Sequence, residues 1–150
     1  MAGTLVMFAT VVPARAGTYR VDDSASQVLS SNVEMKWHPM QAAPAQRNIA
    51  TGNLTVIVRL DVAKWAGHPG RIYMRMPASA VIPTITTWTS RGTLLPGTLR
   101  DGERTLVYAG PIPVSGRIED TLMLTIQADA RRLSRPEQLQ YNFEIDVDTP

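Results

Sequence analysis

The stretch Thr18–Trp37, TYRVDDSASQVLSSNVEMKW, decides how this chain is read. Taking every second residue gives Tyr19, Val21, Asp23, Ala25, Gln27, Leu29, Ser31, Val33, Met35 and Trp37. In the second half, Val33, Met35 and Trp37 alternate with Asn32, Glu34 and Lys36. That period of two predicts a strand with one buried face. The first half keeps the phase, although Asp23 and Gln27 interrupt it. It is rich in Ser, Asp and Ala and reads as extended, with no turn to fold it back into a hairpin. A weakly apolar arm therefore runs straight into a good strand. Such an arm can pair with another copy of the protein; a frayed terminus is the other reading.

Outward from that stretch, the chain has 150 residues, a length suited to one domain with a sizeable core. Charged residues make up 19%, so the composition is that of a globular protein and not of a disordered one. There are 15 Lys and Arg against 13 Asp and Glu, spread along the sequence. This near balance lacks the clustered basic footprint of a nucleic-acid binder. Cysteine is absent, which excludes disulfides, zinc–thiolate sites and thiol nucleophiles.

Residues 1–16 have their own character. Leu5–Val12 is apolar, and Ala14-Arg15-Ala16 has the small-x-small form of a signal-peptidase site, although Met1–Thr4 lacks the usual basic residues. The expectation is a secretory segment over 1–16, an arm over 17–31 and a β-domain over 32–150. An apolar first strand is the alternative for residues 1–16.

After Trp37, the loop-like Met40–Arg47 leads to a strand expected over Ile49–Leu60, with Leu54, Val56, Val58 and Leu60 on one face. A short helical turn is expected near Val62–Trp65. Further strands are expected at Arg71–Met76, at Ala80–Ser90 with a break at Pro83, at Arg104–Ala109 and at Thr121–Ala128. Asp101-Gly102 is a hairpin signal, and Pro96-Gly97 marks a turn. The clearest alternation closes the sequence: Leu139, Tyr141, Phe143, Ile145 and Val147 against Gln140, Asn142, Glu144, Asp146 and Asp148. No helical period of useful length occurs. About seven strands in this spacing predict an all-β, immunoglobulin-like antiparallel sandwich.

Catalytic constellations are missing. His38 and His68 each neighbour a proline and show no ligand spacing, so they read as loop residues and no metal or cofactor is expected. Glu119 and Asp120 are adjacent, so on a strand they face opposite sides and cannot act as a pair. Trp37, Trp65 and Trp88 read as core before they read as a sugar platform. Arg131, Arg132 and Arg135 form a small basic patch, by default a solvated loop. The expectation is a protein that is not an enzyme.

The order of strands says more. If the last strand ends near Val147, no later segment of this sequence covers its outer edge. Exposed backbone groups and apolar side chains there would need a partner. Addition of a strand from another copy is one solution.

On these residues the chain resembles the cysteine-free subunits of chaperone–usher fimbriae. The resemblance rests on Ala14-Arg15-Ala16, the arm Tyr19–Ser31, the strand Val33–Trp37, the segment Thr51-Gly52-Asn53-Leu54-Thr55-Val56 and the closing Tyr141–Ile145. It implies an incomplete immunoglobulin-like fold completed by a donor strand from the next subunit. It also implies a periplasmic chaperone, an outer-membrane usher and a place at the cell surface. Donor positions would be Tyr19, Val21, Ala25 and Leu29, with a shift of phase to Val28 as an option. The acceptor groove would be lined by Val33, Met35, Trp37, Tyr141, Phe143, Ile145 and Val147. An adhesive role toward a host receptor stays open, as does a self-contained secreted sandwich that binds a carbohydrate or a protein.

Overall fold

Strict alternation along four long segments builds two sheets that face each other. The computed structural model describes residues 15–29, 36–37, 49–76, 84–129 and 141–149. In chain order the strands are β1 (Arg15–Val21), β2 (Gln27–Val28), β3 (Lys36–Trp37), β4 (Ile49–Asp61), β5 (Pro69–Arg75), β6 (Thr84–Ser90), β7 (Gly97–Arg100), β8 (Arg104–Pro111), β9 (Arg117–Asp129) and β10 (Asn142–Thr149). A single 3-10 turn, Ala63–Trp65, lies between β4 and β5, and no α-helix occurs among the described residues. The chain is thus an all-β sandwich of antiparallel sheets.

One sheet has four strands in the order β1-β10-β5-β8. The other has six, ordered β2-β4-β9-β6-β7, with β3 also pairing β4. The edge strands β1 and β2 are consecutive in the chain, and so are the edge strands β7 and β8. Each side of the sandwich is therefore bridged by one chain crossing. The β7–β8 crossing is the Asp101-Gly102 turn, where Gly102 has φ +77°, a conformation that favours glycine. Gly102 N–H donates to Met76 O at 3.0 Å, and Glu103 N–H to Arg100 O at 3.0 Å.

Both inner faces follow the alternation. Phe143, Ile145 and Val147 of β10 are buried, as are Ile72 and Met74 of β5. From the opposite sheet come Val58 and Leu60 of β4, Leu122, Leu124 and Ile126 of β9, and Trp88 of β6. Each such side chain contributes roughly 1.5–3 kcal/mol on burial. Trp88 keeps its polar atom satisfied, since Nε1–H donates to Leu95 O at 3.0 Å.

Polar groups also sit within this apolar interior, among them a hydroxyl pair and a carboxylate. The Tyr141 and Thr86 hydroxyls share a hydrogen bond of 2.7 Å that links the β10 end of one sheet to β6 of the other. Burial pushes the Tyr141 phenol up, and the bond to Thr86 partly offsets this. Asp120 is buried while its neighbour Glu119 is exposed and pairs with Arg59 at 3.5 Å, the opposite facing that strand geometry requires. The Asp120 carboxylate accepts N–H from Leu94 at 2.9 Å and from Thr121 at 2.6 Å. It thereby holds the loop between β6 and β7 against β9.

Several expectations meet the fold directly: the strand Ile49–Leu60, the short turn near Trp65 and the closing strand. The Asp101-Gly102 turn forms, but it is not a hairpin: β7 and β8 on either side of it pair in different sheets, with β6 and β5. Others differ. β9 begins at Arg117, four residues before the alternation of apolar residues becomes regular, because the register with β4 runs on from Asp61↔Arg117. Pro96-Gly97 leads into a short strand, β7, that pairs with β6 and needs no alternation of its own. The arm is not one continuous extended segment: it breaks over Asp22–Ser26, where Ser24 N–H donates to Asp22 Oδ1 at 2.9 Å and Ser26 N–H to Asp23 O at 2.9 Å. Asx-type bonding of this kind turns a chain without glycine or proline.

The Tyr141–Thr86 pair yields a testable expectation. Thr86→Val or Tyr141→Phe alone should cost about 1–3 kcal/mol, because a buried hydroxyl or its partner is left unmatched. The double variant should cost less than the sum of the two. Urea unfolding of the four proteins measures this directly.

Candidate functional site

The outer edge of β10 is the place where the sequence reading expects a missing strand, and β1 occupies it. The pairing is antiparallel and covers β1 throughout, from Arg15↔Thr149 to Val21↔Phe143. Directly opposed residues share a face. Gly17, Tyr19 and Val21 therefore stand beside Val147, Ile145 and Phe143 on the inner side. Val21 is fully buried and belongs to the main core. Without β1, the β10 edge would present unpaired backbone groups, and three core side chains would be open on one flank.

Of the expected donor positions, Val21 is thus a core residue of its own chain. Tyr19 lies in the same strand, 45% exposed, with its ring against Trp65 at 5.9 Å between centroids and 39° between planes. Ala25 lies in the crossing and is exposed. Leu29 and Val28 are both exposed, next to β4 and not next to β10. The segment thus divides in two: its first part covers β10, its second part lies along the other sheet. Among the expected groove residues, Phe143, Ile145 and Val147 line the slot under β1. Tyr141 stands just before β10, half-buried. Trp37 pairs through its backbone with Ala50, on the same edge of the six-stranded sheet as β2 but at the other end of β4, and its side chain lies outside the described residues. Val33 and Met35 also lie outside them, as do residues 1–14, His38 and the arginines at 131, 132 and 135. Signal cleavage after Ala16 would leave Gly17–Val21, the half of β1 that faces Val147 to Phe143.

On the side of β10 away from β1, Ile72 and Met74 of β5 stand opposite Ile145 and Phe143 and are buried with them. The slot has members that pattern alone did not single out. Gly17 and Trp65 shape the place of the Tyr19 ring. A glycine two residues before an aromatic in a strand was the available signal for the first of these; nothing local marks Trp65.

On the outer side, Thr18 Oγ1 donates to Asp146 Oδ1 at 2.7 Å, tying β1 to β10 through side chains. Arg104 from β8 reaches the same carboxylate with both terminal nitrogens, at 3.1 and 3.0 Å, and lies over the Tyr73 ring at 4.0 Å. Arg75 pairs with Glu144 at 2.8 Å. Arginines of β8 and β5 thus face the carboxylates of β10. Hydrogen bonds from Arg104 hold the Asp146 carboxyl below the usual carboxylate range; partial burial works against this, while the Thr18 hydroxyl and the Arg71 charge add to it.

The crossing from β1 to β2 is held by β4. Asp61 N–H donates to Asp22 O at 2.9 Å, Arg59 N–H to Ser26 Oγ at 2.8 Å and Arg59 Nη1 to Ala25 O at 3.1 Å. These are hydrogen bonds of an exposed or half-exposed loop, each of modest net value.

A second feature lies on the outer face of the six-stranded sheet. A shallow depression of about 400 Å³ is lined on that face by Asn53, Thr55, Thr87, Thr89, Met123 and Thr125, with no charged side chain. Thr125 Oγ1 donates to Asn53 Oδ1 at 3.1 Å. Among the described residues no group of three or more His, Asp and Glu side chains is placed to hold a metal ion. Compared with known protein families, with curated proteins and with solved structures, the chain matches none.

The Asp146 network predicts a response to acid. A carboxyl held low in the folded state stabilises fully above its unfolded value, about 3.9, and that contribution is lost as pH falls through the folded value. Hydrogen-exchange protection of the β1 amides should therefore decline between about pH 5 and pH 2. Asp146→Asn should flatten this decline; an unchanged slope in the variant would remove Asp146 as its source.

Proposed function

We propose that the chain is a structural subunit of a cell-surface fimbria that polymerises by donor-strand complementation. The observation that carries this reading is the β1–β10 pairing. In an immunoglobulin-type sandwich one sheet runs C-F-G, with G covering the outer edge of F. On that reading β5 and β10 take the roles of C and F, and β4, β9 and β6 those of B, E and D. The role of G then falls to β1, which comes from the opposite end of this sequence. A covering strand taken from the front of the chain can be supplied by the same copy or by the next one. Only the crossing Asp22–Ser26 must straighten to convert one into the other, and exchange of an identical element between copies keeps every β1–β10 contact.

The partners follow from the same edge. An unfilled β10 edge is a template for aggregation. A subunit in transit would need a periplasmic chaperone to cover it, and an outer-membrane usher would order the exchange of chaperone for the next subunit's strand. An adhesive contact with a host receptor is compatible with this scheme. No chemistry in the site calls for catalysis or a cofactor.

A second reading is favoured by two observations: β1 closes the sandwich within one chain, and the uncharged depression on the outer sheet face offers hydroxyl and amide groups. These suit a self-contained secreted module that binds a carbohydrate or a protein. Deleting Thr18–Ser30 separates the two. On the polymer reading, the full-length protein forms ladders that survive SDS and collapse on heating, and the deletion yields a chaperone-dependent monomer without ladders. No ladders from the full-length protein, which stays a monomer, with the deletion merely destabilising that monomer by removing Val21 and opening the β10 edge, would replace that reading with the binding module.

A further inference from the structure

We infer that the slot beside β10 selects its occupant by a Gly-x-Tyr clamp, so that the segment it accepts is an extended Gly-x-aromatic-x-aliphatic peptide, the sequence Gly17–Val21 of this chain or of a second copy. The role of this clamp in assembly rests on the strand-exchange reading; its action on β1 does not.

The clamp has three parts. First, the Tyr19 ring lies directly on the bare Cα of Gly17. A Cβ at position 17 would come within 2.7 Å of Tyr19 Cε2 and Oη and 2.9 Å of Cζ, so a side chain there would push the end of the Tyr19 ring off its place against Trp65. Second, Trp65 meets the same ring at 5.9 Å, so the ring is held between Gly17 and the indole. Third, Trp65 is placed independently of β1. Its N–H donates to Val62 O at 3.0 Å, its O accepts from His68 N–H at 3.0 Å, and Val62 itself is fully buried.

Geometry makes the clamp a register mark. A slip of one residue would turn Val21 out of the core. A slip of two keeps the facing but brings Gly17 or Val21 opposite Ile145 in place of Tyr19. Trp65 would then have no aromatic ring to meet, and the Tyr19 ring would stand against Val147 or Phe143. Backbone pairing alone does not distinguish these registers, because every extended peptide offers the same N–H and C=O groups. Discrimination must come from side chains at alternate positions. Here the slot asks for an aromatic ring opposite Ile145, where it meets Trp65, and a small aliphatic group opposite Phe143; the bare Gly17 is required by the Tyr19 ring of the same strand, which lies over it.

The test uses the full chain with Gly17→Val, Tyr19→Phe, Tyr19→Ser and Trp65→Ala, read by hydrogen exchange of the β1 amides and by the Trp65 indole resonance. Valine suits strands better than glycine, so Gly17→Val should raise β1 protection if strand propensity alone governs. The clamp predicts the opposite sign, a loss of about three- to tenfold, with similar losses for Tyr19→Ser and Trp65→Ala and retention in Tyr19→Phe. A shift of the Trp65 resonance should accompany the losses in Gly17→Val and Tyr19→Ser. Protection raised or unchanged in Gly17→Val, or Tyr19→Ser matching Tyr19→Phe, overturns the clamp. Ladder formation is scored on the same proteins. Ladders with the clamp signature absent would sink the clamp and spare strand exchange. The clamp signature without ladders would leave the clamp acting on the chain's own β1 and sink strand exchange.

Discussion

The last strand of the four-stranded sheet has an outer edge that must be paired, and most of what is specific to this molecule follows from how that edge is met. β10 carries Phe143, Ile145 and Val147 on its inner side, so it lies at the centre of the core. A central strand left with one open edge would combine unmatched backbone groups with exposed apolar flanks. β1 satisfies both needs along its whole length. The molecule draws this covering strand from far away in sequence, which makes closure dependent on a long-range contact and separable from the rest of the fold.

The means of attachment differ on the two sides of β1. Toward the core, Val21 is locked by burial. Toward solvent, Thr18 leans on a carboxylate that Arg104 already holds in two hydrogen bonds. Exposed ion pairs contribute little singly, usually about 0–1 kcal/mol, but here they converge on β10 and fix the orientation of its outer face. The crossing that follows is held only by loop hydrogen bonds to β4. β1 is thus firmly held, while the crossing and the short, exposed β2 after it are attached lightly, the arrangement in which local opening is expected to start.

The two outer faces of the sandwich contrast. The four-stranded sheet shows arginines on β8 and β5 paired with carboxylates on β10. The middle of the six-stranded sheet shows threonine, asparagine and one methionine around a shallow depression, with its ion pair, Arg59–Glu119, displaced toward one end. Threonine suits a half-exposed strand for its branched carbon alone, so this face is also what a sheet looks like when nothing further is asked of it.

Alternation is a local property, and the sequence determined everything that depends on it. Leu54 to Leu60, Leu122 to Ala128 and Phe143 to Val147 could be assigned to inner faces because neighbours two apart must point the same way. Asp101-Gly102 could be read as a turn because only a few residues adopt it, but not as a crossing between sheets, since the strands on either side pair elsewhere. Pairing partners are another matter. The backbone groups of β10 carry no mark of which strand will meet them, so the choice of β1, in the same chain, belongs to the tertiary structure. The same holds for the break at Asp22–Ser26, where side-chain bonds to nearby amides compete with extension. It holds for the buried carboxylate of Asp120, satisfied by a loop that joins other strands. It holds also for Trp65, brought to Tyr19 by a turn 46 residues away in the chain. Side-chain periodicity told which surfaces had to be covered; only the summed geometry of both sheets decided what covers them.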